Sequence, residues 1–334
     1  MRKLAFGIDI GGINTAFGLV DESGELVAES KISTAAHPHY EDYAPYVALL
    51  CQEMHKLFNS VSADSCLVGI GIGAPNANFY TGTVDTPANL WKFTGKEASQ
   101  DEKLRIFPLA EDIAASFPNI PIYVTNDANA ATIGEMVYGN ARGMKDFVMI
   151  TLGTGVGSGF VANGEMIYGH DGFAGEAGHI IIERDGRECG CGRRGCLEAY
   201  CSAIGVKRTA FELMAQLNAP SELRGIPFAE LDSARVAAAA AKGDVVALET
   251  FRLTGMRLGR ALADMVTITS PQAIFIFGGL AKAGNLLFDH VRHYMEESML
   301  FAFKNKVQVL PSALQDKNAA ILGASALVWK EIDK

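Results

Sequence analysis

The chain has 334 residues, 49% of them hydrophobic and 20% charged, with a formal net charge of −9. That is the composition of a folded globular protein of about two domains, and it excludes disorder, collagen or coiled coil for the whole chain. The acidic balance argues against a general binder of nucleic acid or anionic membrane, because both need a basic surface.

The N-terminal stretch through Leu26 to Ser33 predicts three strands: Leu4 to Ile10, Thr15 to Val20 after a glycine turn, and Leu26 to Ser33. A helix is expected over Tyr40 to Phe58, then a buried strand from Leu67 to Ala74. The polar stretch from Asn76 to Gly95 reads as a long functional loop. A strand at Pro121 to Val124 leads to Asn126-Asp127 and a helix from Ala128 to Met136. The second half repeats the opening, with a strand at Phe147 to Leu152, a glycine loop at Gly153 to Gly159 and returning strands over Phe160 to Ile167. This shared design at the start of each half predicts two related domains. Helices follow at Leu197 to Leu217, Ala234 to Ala241 and Val245 to Thr269, then a strand at Ala273 to Phe277 ending in Gly278-Gly279. A strand at Val307 to Leu310 and a helix from Asn318 to Trp329 complete the chain. No apolar run approaches the about 18 to 20 residues of a membrane span. The apolar run at the N-terminus is cut short by Asp9, so a cytoplasmic protein is expected.

Four places carry chemistry. Asp9-Ile10-Gly11-Gly12 puts a carboxylate and two glycines at a strand end, where backbone N–H groups can approach a phosphate and the carboxylate can hold Mg²⁺; a plain tight hairpin explains it as well. Gly153-Thr154-Gly155-Val156-Gly157 continues to Gly159 and has dinucleotide-like spacing, yet a strand follows it where that fingerprint demands a helix. A phosphate loop between strands fits better, and Gly278-Gly279 is a third glycine turn of the same kind. Asn126-Asp127 is either a helix N-cap or the seat of a general base for phosphoryl transfer. His179 with Cys189, Cys191 and Cys196 offers three thiolates and an imidazole, a closed tetrahedral set for one structural Zn²⁺. Cys201 is a rival fourth ligand, placed on a helix that points it elsewhere. Such a metal would fix Glu176, His179 and Glu198 around its loop.

The run Gly172-Phe-Ala-Gly175-Glu176-Ala-Gly178-His179, followed by Cys189-x-Cys191-Gly-x-x-Gly-Cys196-Leu-Glu198, resembles the ROK family of repressors and sugar kinases, in a match from Asp9 to about Gly323. The resemblance implies an α/β fold of the actin-like/hexokinase-like (ribonuclease H-like) type, duplicated in two domains, with ATP in an interdomain cleft. It implies Asp127 as base. It implies Asp9, Gly11, Gly12, Asn14, Thr15, Gly153, Thr154, Gly155, Gly157, Gly278 and Gly279 as the nucleotide and Mg²⁺ cradle. It also implies Asn89, Asn126, Asp127, Glu176, His179 and Glu198 as sugar ligands, with His179 binding zinc through one ring nitrogen and sugar through the other. Two positions depart from the family pattern: Ile13 stands where Thr or Ser is usual, so that Asn14 or Thr15 would have to replace its contact, and Asn76 stands where Gly is frequent.

The expected domains are 1–125 plus the C-terminal helix 316–334, and 126–315. The expected activity is ATP-dependent phosphorylation of a hexose at the C6 hydroxyl, with glucose as acceptor. Alternatives are an N-acetylglucosamine or N-acetylmannosamine kinase of the same family and a non-catalytic sugar-responsive regulator. The repressor branch carries a helix-turn-helix domain ahead of the first glycine turn, for which nine residues leave no room. Hexose and ATP are thus the expected partners, without nucleic acid or membrane. A homodimer is an assembly common in that family.

Overall fold

A computed structural model describes residues 1–61, 64–87, 89–92, 105–315 and 318–332. The far end of the expected loop over Asn76 to Gly95 falls partly outside them, as do the ends of the expected segment 316–334.

The first sheet has the order β3-β2-β1-β4-β7. Its strands are β1 (Arg2–Ile10), β2 (Asn14–Asp21), β3 (Leu26–Ser33), β4 (Ser65–Gly73) and β7 (Ile122–Thr125). β1 runs antiparallel to β2 with Asp9 opposite Ala16, and parallel to β4 with Asp9 opposite Gly73. The second sheet has the order β10-β9-β8-β11-β12, with β8 (Phe147–Leu152), β9 (Val156–Ala162), β10 (Glu165–Met166), β11 (Ala273–Phe277) and β12 (Gln308–Pro311). Again the central strand pairs antiparallel with the strand after its glycine turn and parallel with a later one. The repeat weakly legible in the letters is therefore a repeat of topology, and each sheet has the ribonuclease H-like order of an actin-like/hexokinase-like fold. A small pair, β5 (Val84–Asp85) with β6 (Ile106–Phe107), lies outside both sheets.

Two compact units result: Met1–Gly143 with Met166–Ala174 and Asp316–Lys334, and Met144–Glu165 with Gly175–Gln315. The division expected before Asn126 is displaced, because α3 (Asp127–Tyr138) packs on α9 (Ala319–Ile332) over the first sheet. Gly71 on β4 makes the close approach of α9 possible. A Cβ there would overlap the carbonyl oxygen of Ala324, and one at Gly7 would overlap that of Ile321. The other face of the first sheet packs under α1 (Tyr43–Asn59), whose Tyr46, Val47, Leu50 and Met54 join Phe6, Ile8 and Ile72 in one core, with the short α2 (Leu109–Ala114) alongside. The second unit's core is helical as well as sheet-based. It takes in α6 (Ser233–Ala241), the long α7 (Val245–Thr269) and α8 (Asn285–Ser298), the last of which has no counterpart among the expected elements. The helix expected over Leu197 to Leu217 is two, α4 (Glu198–Cys201) and α5 (Ala203–Gln216), split at Ser202, whose side chain caps α5 by accepting the Gly205 N–H. Among the described residues no helix is long and apolar enough to cross a membrane.

Candidate active site

In the first unit, three strand ends converge on two carboxylates. Asp9 is the next-to-last residue of β1, opposite Gly73 of β4, and a Cβ on Gly73 would sit 3.7 Å from the Asp127 Cα. Asp127 opens α3 directly after β7. Burial first, and then the neighbouring Asp127, push the Asp9 carboxyl up to about 6 from its ordinary 3.8. Protein packed around Asp127 likewise raises its carboxyl, although water reaches the residue and the Ala128 N–H, 2.8 Å from Oδ1, pulls the other way. Two carboxyls held near one another and above their usual range mark a site that gains from a cation or from a proton to accept.

Asn126 is an N-cap in fact: its Oδ1 accepts the Ala128 N–H at 2.8 Å. Capping and chemistry are not exclusive here, since the cap orients the turn that presents Asp127.

The first glycine turn is Gly11-Gly12-Ile13, closed by the Gly11 N–H donating to the Asn14 carbonyl at 3.1 Å. Gly12 and Asn14 are exposed, and Ile13 is 72% exposed at the tip. Asn89 comes to this turn, since a Cβ on Gly12 would lie 3.4 Å from the Asn89 Cβ. Thr15 does not belong with them. Its side chain is fully buried and its hydroxyl lies 2.8 Å from the Thr34 hydroxyl and 2.6 Å from that of Tyr46, so it cannot reach a phosphate. Asn14 is the polar side chain left beside Ile13. The other departure, Asn76, has φ 56°, the left-handed region that Asn tolerates best after Gly, and its Nδ2 donates to the Thr86 carbonyl at 3.2 Å. The backbone a glycine would permit is kept.

The second glycine turn is shorter than expected. Gly153, Thr154 and Gly155 form it, while Gly157 is already in β9, paired with Thr151. Gly157 thus serves the ladder, and the open positions are the exposed Gly153 and Thr154. The third turn also divides. Gly278 has φ 107°, gives its N–H to the Gln315 Oε1 at 3.2 Å and takes the Gln315 Nε2 on its carbonyl at 2.7 Å. Both its polar groups are occupied, whereas Gly279 is exposed. Gln315, 37 residues on, carries no sequence signal for this clamp.

The cluster of His179, Cys189, Cys191 and Cys196 is assembled, with one donor atom from each within 4.8 Å of the others. Cys191 and Cys196 sulfurs are 3.7 Å apart, as are the Cys189 sulfur and the His179 Nδ1. A tetrahedron with metal–sulfur bonds of about 2.3 Å has edges of about 3.8 Å, so the four residues fit one tetrahedral ion. Cys201 is fully buried, its thiol against the Thr254 carbonyl, and stays outside. Nδ1 of His179 faces the Cys189 sulfur, so an ion held through that nitrogen would leave Nε2 for another partner. Glu198 sits beside the cluster and Glu176 is exposed.

Known proteins resemble this chain over nearly its whole length. The model of the ROK family matches residues 5–331. A glucokinase of Thermotoga maritima is 31% identical, covering 99% of this chain and 99% of that protein. A xylose repressor of Bacillus spizizenii is 28% identical over 97% of this chain but 76% of its own length. The crystal structure of a ROK family glucokinase from Streptomyces griseus, in complex with glucose and AMPPNP, superposes with a TM-score of 0.77 at 30% identity, covering 98% of this chain and 99% of that one. The chain belongs to the ROK family.

Proposed function

We propose that this ROK-family sugar kinase transfers the γ-phosphoryl group of ATP to the C6 hydroxyl of a hexose, with glucose the preferred acceptor. The observation that carries the reading is the pair of raised carboxyls, Asp9 and Asp127, gathered at the ends of β1 and β7 beside an open glycine turn. A group with a raised pKa is a better proton acceptor for a hydroxyl that becomes acidic only as it attacks phosphorus. In the proposed step the C6 oxygen bonds to the γ-phosphorus, the bond from that phosphorus to the β,γ-bridging oxygen breaks, ADP leaves and the hydroxyl proton passes to Asp127. Asn126, by capping α3, holds Asp127 at the helix start.

The paired carboxyls also suit Mg²⁺, since a divalent cation offsets both the burial and, secondarily, the Asp127 repulsion that raise Asp9. Asp9 is the residue assigned to it; the ion, when bound with ATP, neutralises phosphate charge. Gly11, Gly12, Asn14, Gly153, Thr154 and Gly279 are the assigned phosphate contacts. Asn89, Asn126, Glu176, His179 and Glu198 are the assigned sugar ligands. The cysteines with His179 are assigned to zinc, which has no open position in such a set and so acts structurally.

Glucose over N-acetylhexosamines is supported by the glucokinase relatives. The test is kcat/KM for glucose, mannose, N-acetylglucosamine and N-acetylmannosamine with Mg·ATP. An acetylated sugar exceeding glucose tenfold, about 1.4 kcal/mol in transition-state binding, overturns the acceptor. No turnover with any hexose overturns the kinase and favours a non-catalytic regulator.

A further inference from the structure

The metal cluster and the second glycine turn are joined through one carboxylate. Glu198, first residue of α4, accepts the Val156 N–H on Oε2 at 3.0 Å, and its Oε1 lies 3.4 Å from the Cys189 sulfur. The turn is shaped around this carboxylate, because a Cβ on Gly155 would come 2.5 Å from Oε2. From the other side Gly178, next to His179, packs so closely on Val156 that a Cβ would overlap its carbonyl. The start of α5 completes the hold, the Ala203 N–H donating to the Gly153 carbonyl at 2.9 Å.

The helix presenting Glu198 is itself fastened. α4 has four residues and no capping side chain at Leu197. Tyr200, two residues along, is 2% exposed; its hydroxyl accepts the Arg187 N–H at 2.7 Å, and the guanidiniums of Arg187 and Arg257 each stand 4.6 Å from its ring centre. Arg187 also donates to the carbonyls of Ala199 and Gly205. A carboxylate on so fixed a support can hold a turn whose own residues are mostly glycine.

We propose that Glu198 is a positioning residue for the nucleotide turn Gly153–Gly155, holding it through the Val156 amide, so that the geometry of the metal cluster sets nucleotide affinity as well as sugar contact. The proposal rests on the reading of that turn as a phosphate contact. What matters in it is reach: the carbonyl-type oxygen must span from α4 to Val156, whatever its charge.

The test is equilibrium binding of a non-hydrolysable ATP analogue with Mg²⁺, in the absence of hexose, to the metal-loaded protein. Glu198→Gln keeps the reach and an acceptor oxygen for Val156 but loses the charge. Glu198→Asp keeps the charge but falls one methylene short. The expected order is Kd within about threefold of wild type for Gln and weakened about tenfold for Asp, with one metal per chain in both by elemental analysis. The reverse order, or no change with Asp, overturns the proposal, because a role through charge alone ranks Asp above Gln. Failure of the wild-type protein to bind the analogue overturns the nucleotide reading instead, and hexose binding measured separately reports the sugar contact.

Discussion

Asn78 donates through Nδ2 to the carbonyl of Asp171 at 2.7 Å, across 93 residues of chain. Its Oδ1 meanwhile accepts the Tyr80 N–H at 3.0 Å, and the residue is 4% exposed. One side chain thus ties the loop after β4 to the segment that runs into Glu176. Asn78→Ala removes both hydrogen bonds, each worth about 0.5 to 1.5 kcal/mol net because the partner residues Asp171 and Tyr80 are exposed and water can take the place of Asn78. The expected loss is in that range by denaturant unfolding, with faster amide exchange over residues 168–174. Unchanged exchange there would show that the tie carries no load.

Asp127→Asn retains shape, size and a capping oxygen while removing the proton acceptor. Turnover should fall by about 10² or more with hexose affinity preserved. Near-parental kcat would remove Asp127 from the mechanism.

Asp9 gives a pH signature. Its folded-state pKa of about 6 lies above the ordinary 3.8, so the native protein holds this proton more tightly than the unfolded chain does. Its contribution to stability therefore grows as pH falls from about 6 toward 4 and turns into a penalty above about 6. Asp127, also raised, acts with the same sign. Without Mg²⁺, Asp9→Asn should melt higher than wild type at pH 8, with the gap closing near pH 5, while Mg²⁺-dependent turnover is lost. A gap that widens toward pH 5 would contradict the assignment.

Cys191→Ser removes one of four donors from a loop otherwise held by glycine-rich backbone. Metal content should fall well below one per chain, and the melting temperature should drop because a structural ion contributes to folding directly. A wild-type protein purified without chelators and carrying no zinc by elemental analysis would refute the metal assignment.

Sequence patterning located what local chemistry determines. β8, α7 and β11 have the expected bounds because runs of Val, Ile, Phe and Leu, or a 3.6-residue period, are read within one element. The four metal-cluster residues were legible for a similar reason: three lie on one short loop and His179 just ahead of it. What failed depended on partners distant in the chain. Thr15 looked like a phosphate ligand until Thr34 and Tyr46 claimed its hydroxyl. Gly157 and Gly278 looked free until Thr151 and Gln315 occupied them. The position of α3 in the first unit was fixed by α9, nearly two hundred positions later, and no period in the sequence encodes that packing.

The seat of α9 on Gly7 and Gly71 bears on biosynthesis. The first sheet's strands emerge from the ribosome early, but the 14-residue helix that covers one of their faces is translated some two hundred residues after the last of them. Until then the Ala5 side of β1 lacks Val328 and Trp329, the residues it packs against in the finished protein. The second unit's segments are all synthesised before that helix. Its folding can therefore run ahead, while the half bearing Asp9 and Asp127 waits for α9 with apolar surface open to chaperones or to neighbouring nascent chains.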